Sequence, residues 1–105
     1  MLTDRPQISS TGKQYGAKGS TVNVECKVRS VPLPEEVTWI RNNEVIDFAT
    51  SEHYSFSEEK KPDGVINTLH IQRAGSGDFG LYNCTVVNSM GIDFLAITLI
   101  EKGQF

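Results

Sequence analysis

Two cysteines, Cys26 and Cys84, stand 58 positions apart in a chain of 105 residues, and no other cysteine is present. That separation excludes a CxxC redox or zinc pair and points to one long-range disulfide. On the chain-entropy model, closing a loop of that size stabilises a fold by about 4 kcal/mol, a large part of a small domain's margin. Such a bond persists in an oxidising compartment. The length fits one domain and leaves no room for a second, since domains commonly run to roughly 100–150 residues.

The side-chain period is two almost everywhere. Val22, Val24 and Cys26 alternate with Asn23 and Glu25, the pattern of a strand with one buried face. Strands are expected over 20–28, 36–41, 44–47, 52–59, 65–72, 80–88 and 94–101, after a ragged first strand over 7–13. Pro32 and Pro34 end the strand that carries Cys26, because proline cannot donate to a ladder. Asn42-Asn43, the segment 60–64, 75–78 and Asn88-Ser89-Met90-Gly91 are the turn signals. About eight short strands and no amphipathic helix predict an all-β sandwich or barrel.

Sites of chemistry are not evident. The formal net charge is −3, with no stripe of Lys and Arg to neutralise phosphates, so nucleic acid is a poor partner. The longest apolar run, 94–100, is far short of the ~20 residues that cross a bilayer, and no signal peptide precedes Met1. Any membrane anchor is therefore expected elsewhere in a parent chain. The Gly-rich segment 12–19 lacks the spacing of a phosphate loop and precedes a strand. His53 and His70 have no third ligand, and Asp4, Asp47, Asp63, Asp78 and Asp93 lack the spacing that binds calcium. Ser76 has neither the GxSxG frame nor a placed histidine. No catalytic residue, metal, cofactor or small-molecule substrate is expected, and the chain is read as a non-enzyme.

Cys26, Trp39 and Cys84 fall on three different predicted strands, and their surroundings resemble the immunoglobulin superfamily, in its I-set form. Gly19-x-x-Val22-x-Val24-x-Cys26 looks like strand B, and Trp39 like the strand C tryptophan that packs on the disulfide. Leu69-x-Ile71 resembles strand E. Asp78-x-Gly80-x-Tyr82-x-Cys84 resembles the E–F corner and strand F, with Tyr82 as the corner tyrosine. Asn88-x-x-Gly91 is similar to the I-set F–G turn, where glycine takes a positive φ. The resemblance implies a two-sheet Greek-key sandwich over 6–101 with one inter-sheet disulfide, Cys26–Cys84. Residues 1–5 and 102–105 are then linkers.

The segments 6–10, 30–34, 64–71 and 82–85 further resemble the membrane-proximal immunoglobulin domain of the Kirre and nephrin family of adhesion receptors. That likeness implies an extracellular stalk module of a single-pass plasma-membrane protein. Its parent would bind a homophilic or heterophilic immunoglobulin-superfamily partner mainly through other domains. The rival expectation is an I-set strut of an intracellular sarcomeric or cytoskeletal filament, in which the two thiols would be free. Where I-set domains often place a strand D arginine against the corner aspartate, this chain has His53. The alternatives there are a pH-dependent pairing with Asp78 and an unpartnered surface histidine.

Asn83-Cys84-Thr85 is the single N-x-[ST] sequon, so Asn83 is a candidate glycan acceptor. If Cys84 faces the core, Asn83, Thr85 and Val87 face outward, joined by Thr38 and Ile40 and by Phe94, Ala96 and Thr98. This mildly apolar face is a candidate interface, and a glycan on Asn83 would occupy its middle.

Overall fold

The computed structural model describes residues 3–103. The outermost residues of the expected linkers, 1–2 and 104–105, lie outside the described residues. Among the described residues nine strands form: β1 (Asp4–Ile8), β2 (Lys13–Gly16), β3 (Val22–Val31), β4 (Glu36–Arg41), β5 (Glu44–Val45), β6 (Tyr54–Lys61), β7 (Gly64–Ile71), β8 (Gly80–Asn88) and β9 (Gly91–Glu101). One short 3-10 turn, Ser76–Asp78, precedes β8. They make two sheets, β1-β3-β7-β6 and β2-β9-β8-β4-β5, so the chain crosses between sheets after β1, β2, β3, β5 and β7. Among the described residues no helix is long and apolar enough to cross a membrane.

The alternation is clearest in β3, where Val22, Val24, Cys26, Val28 and Ser30 are buried and the residues between them are exposed. Its inward side meets the inward side of β8, and Cys26 joins Cys84 across the gap. Trp39, Leu69, Ile71, Tyr82, Val86, Ile97 and Leu99 fill the space around that bond. At about 25 cal/mol per Å² of apolar area removed from water, such burial supplies most of the driving force.

Besides β5, which stops at Val45 against the expected 44–47, and β9, which starts at Gly91 against the expected 94–101, three larger differences from the sequence-based expectation stand out. The single first strand over 7–13 is two strands on opposite sheets: β1 pairs antiparallel with β3, and β2 pairs parallel with β9. Two of the residues expected as linker, Asp4 and Arg5, lie in β1. The Gln14 side-chain amide ties β2 back to β3, since its Nε2 donates to the Glu25 carbonyl and its Oε1 accepts from the Glu25 amide, each at 2.8 Å. Second, β3 continues to Val31 before the prolines stop it. Third, β6 extends to Lys61, which shrinks the polar turn to Pro62-Asp63. The tightness is possible because Gly64 has no side chain: a Cβ there would collide with the Val28 carbonyl on β3. In the β4–β5 hairpin, Asn42 and Asn43 both take positive φ, 54° and 64°, as a two-residue turn matched to strand twist requires.

Asn88 fastens the opposite end. Its Oδ1 accepts from the Met90 and Gly91 amides at 2.8 and 3.1 Å, closing the β8–β9 turn. Its Nδ2 donates to the Asp4 carbonyl at 2.7 Å and the Ser30 hydroxyl at 3.1 Å. One buried amide thus holds β1, the end of β3 and the turn together. Asn88→Ala is expected to cost about 2 kcal/mol, because the groups it leaves are shut from water without partners. Chemical denaturation of the two proteins measures this, and hydrogen exchange should quicken first at Met90 and Gly91.

Candidate interaction surface

The framework residues meet as the resemblance implies. Trp39 is 1% exposed and sits opposite Cys84 in the β4–β8 ladder. Its Nε1 donates to Asn67 Oδ1 at 2.7 Å, a fully internal bond. Asn67 is a contributor that strand assignment alone passes over. The available signal is a polar residue at an inward position of β7, between the buried Val65 and Leu69.

At the end of the sandwich where β8 begins, Tyr82 donates from its hydroxyl to the Asp78 carbonyl at 2.7 Å. Asp78, the corner aspartate of the expected framework, lies half-buried at the rim as a polar hub. His53 does have a partner: its Nε2 is 2.9 Å from Asp78 Oδ1. The Tyr54 hydroxyl donates to the same oxygen at 3.3 Å, and Asp78 Oδ2 accepts from the Gly75 amide at 2.8 Å. Arg41 completes the corner, which sequence reasoning missed. Its guanidinium lies 4.6 Å from the Tyr82 ring centroid and donates to the Gly77 and Leu81 carbonyls at 2.8 Å. The cross-strand register Arg41↔Tyr82 is what places it there.

Burial alone would push the Asp78 carboxyl up, but the bonds from His53, the Gly75 amide and Tyr54 together hold it below its ordinary value. Burial, followed by the neighbouring Tyr54 hydroxyl, drives the Tyr82 phenol far above its ordinary range. A carboxyl depressed in the folded state adds stability above its unfolded pKa and loses it as pH falls through its folded pKa. The corner is therefore expected to weaken on acidification below pH about 4. Asp78→Asn should lower the melting temperature near neutrality and flatten its acid dependence, which thermal melts across pH measure. In the same melts His53→Arg should raise the neutral-pH melting temperature, since a permanently charged fork replaces an imidazole. An unchanged value would show that the pairing contributes nothing.

The outer face of the five-stranded sheet gathers the residues expected there. Thr38 lies opposite Thr85, which lies opposite Phe94; Ile40 lies opposite Asn83, which lies opposite Ala96. Phe94 is 67% exposed. Val87, Thr85, Asn83, Thr38 and Ile40 are half-buried, and Ala96 is exposed. Val45, Leu81 and Ile92 extend the surface and are exposed too. Charges sit only at the margins, with Glu36 beside Val87 and Lys13 beside Thr98. The other sheet differs: Asn23, Glu25, Lys27 and Arg29 line β3's outer side, and Glu59 and Lys61 of β6 are exposed across the intervening β7. Among the described residues no group of three His, Cys, Asp or Glu is arranged to hold a metal ion.

The chain matches the family model described as "Immunoglobulin domain" over residues 5–88. It is 39% identical over 101 residues to the Irregular chiasm C-roughest protein of Drosophila melanogaster, covering 96% of this chain and 13% of that protein. It is 37% identical over 100 residues to Kin of IRRE-like protein 3 of Homo sapiens, covering 94% of this chain and 13% of that protein. Neural cell adhesion molecule 1-A of Xenopus laevis is 30% identical over 97 residues, covering 91% of this chain and 8% of that protein. The chain thus spans a small fraction of the length of these relatives. Among solved structures, the Dpr2 Ig1-Ig2 complex with DIP-Theta Ig1-Ig3 contains a chain that superimposes with a TM-score of 0.82 at 23% identity, over 95% of this chain and 33% of that one. Titin domain M7 superimposes with a TM-score of 0.78 at 25% identity, over 98% of this chain and 99% of that one.

Proposed function

The chain belongs to the immunoglobulin domain family, and from that premise we propose that it is one extracellular module of a cell-adhesion receptor, acting as a spacer within a series of such domains. The adhesion reading is supported by the likeness, across 96%, 94% and 91% of the chain respectively, to a roughest-type protein and to kin of IRRE-like and neural cell adhesion proteins. The formed Cys26–Cys84 bond accords with an oxidising environment. No catalytic role belongs to this reading.

One geometric observation carries the spacer role. Asp4, at the start of β1, is held by Asn88 at the end where β8 turns into β9. Lys102, after β9, donates to Gly16 near the opposite end, where β8 begins beside Leu99. The chain therefore enters one pole and leaves the other along a body 49 Å in its longest dimension. A module threaded pole to pole adds its length to a series and fixes the direction of the next. The parent would be anchored in the plasma membrane by a separate segment and would meet its immunoglobulin-superfamily partner through other domains.

Cells expressing the parent receptor test this. Replacing the module by another immunoglobulin domain of similar length should preserve cell–cell adhesion, whereas deleting it should weaken adhesion. Loss of adhesion on the length-matched swap would assign partner recognition to this domain and overturn the spacer reading. The filament-strut alternative draws on the likeness to titin domain M7; it requires free thiols at Cys26 and Cys84 in the native protein.

A further inference from the structure

We propose that Asn83 carries an N-linked glycan whose first sugar lies over Phe94 and closes the apolar outer face of the five-stranded sheet to protein partners. The inference rests on the extracellular reading above, because the transfer takes place only on a chain entering the secretory pathway.

The position of the sequon is fixed by the disulfide. Cys84 points inward to Cys26, so Asn83 and Thr85 on either side of it point outward together. Asn83 stands at the centre of the sheet, between Ile40 on β4 and Ala96 on β9. Its Oδ1 is closed off from water and has no hydrogen-bond partner, and it alone is in that state among the described side-chain atoms. An acceptor so placed is unfavourable until a donor arrives. An N-acetylglucosamine on Nδ2 brings an acetamido N–H and ring hydroxyls to that spot.

Phe94 supplies the seat. It pairs with Thr85, two residues along the face from Asn83, and so is a diagonal cross-strand neighbour, within reach of a group the size of a sugar ring. The apolar face of a pyranose stacks on an aromatic ring, and this ring is otherwise left in water. With it, Ile92 and Ala96 of β9, Ile40 of β4 and Val45 of β5 share one face with charges only at its margins, the composition of a sticky patch unless covered. A covalently attached glycan at its centre covers it without a second protein.

In the transfer, the Nδ2–C1 bond forms as the C1–O bond to a polyprenyl-diphosphate oligosaccharide donor breaks. The amide loses one proton, the diphosphate departs with its lipid, and nothing is oxidised or reduced. β8 is paired on both sides, by β4 and β9, so the transfer precedes folding of this sheet.

The test is to secrete the chain from eukaryotic cells behind a signal sequence, alongside Thr85→Ala, which removes the sequon, and Phe94→Ser, which removes the seat. Peptide mass spectrometry should find a glycan on Asn83 in most wild-type and Phe94→Ser molecules and none in Thr85→Ala. The wild-type glycoform should melt about 3 °C above Thr85→Ala, and Phe94→Ser should lose that advantage at unchanged occupancy. Unglycosylated Thr85→Ala should self-associate at concentrations where the wild type is monomeric. A secreted, disulfide-bonded wild type with bare Asn83 overturns the glycan and leaves the extracellular reading standing. An occupied Asn83 with no dependence on Phe94 in melting or self-association overturns the seat. A native protein confined to the cytosol with free thiols overturns both readings.

Discussion

Trp39→Ala is expected to leave little or no folded protein at body temperature. The indole is 1% exposed between the two sheets, and truncating a buried tryptophan typically costs about 3–5 kcal/mol through lost contacts and the cavity left behind. A second penalty falls on Asn67, whose Oδ1 loses its donor inside the core; an orphaned buried acceptor costs about 1–3 kcal/mol. Together these approach the whole margin of roughly 5–15 kcal/mol that a domain of this kind possesses. Trp39→Phe separates the two parts, since it retains much of the volume and removes only the donor. Its loss should be about half as large. Urea unfolding followed by far-UV circular dichroism measures all three proteins, and a midpoint for Trp39→Ala equal to that of the unsubstituted chain would contradict the account.

Removing the disulfide has the second largest expected effect. A chain with Cys26→Ala and Cys84→Ala together should lose about 4 kcal/mol, because its unfolded ensemble regains the freedom of a long loop. The melting temperature should fall by about 20 °C for a domain of this size. Either single substitution should be at least as harmful, as it leaves a free thiol as well as breaking the bond. Reduction of the unsubstituted protein should reproduce the double substitution, and differential scanning calorimetry with and without reductant makes the comparison. A melting temperature indifferent to reductant would mean that the core alone carries the fold, as in a cytoplasmic strut.

Both predictions concern residues that stand out in the linear chain itself, and the reason is physical. Cysteine and tryptophan are few, a strand's side chains alternate with a period of two, and the sheet interior is filled mostly by apolar groups. Local pattern and composition therefore locate β4 and β8 at 36–41 and 80–88, the same bounds the strands have in the fold. The same alternation places Asn83 outward once Cys84 is inward. The corner is half legible. Tyr82 and Asp78 are marked by their spacing to Cys84, but the choice between a paired and an unpaired His53 requires knowing where a residue 25 positions away stands.

What the sequence by itself determined about this protein is its class and its core: an all-β sandwich, alternating strands and the Cys26, Trp39, Tyr82 and Cys84 framework. The all-β class and the alternation follow from chain-local period and side-chain chemistry, whereas the two-sheet sandwich and the roles of the framework residues are what the resemblance to immunoglobulin domains implies. What only the tertiary structure decided lies between residues far apart in the chain. Asn88 reaches back 84 positions to Asp4, Arg41 settles on Tyr82, Asn67 meets Trp39, and β2 leaves the sheet of β1 to run parallel to β9. The pole-to-pole path and the cross-strand partners of Asn83, Ile40 and Ala96, arise the same way. Periodicity reports which side of a strand a residue faces, whereas its neighbours across the sheet are set by strand order and register, which only the closed sandwich fixes.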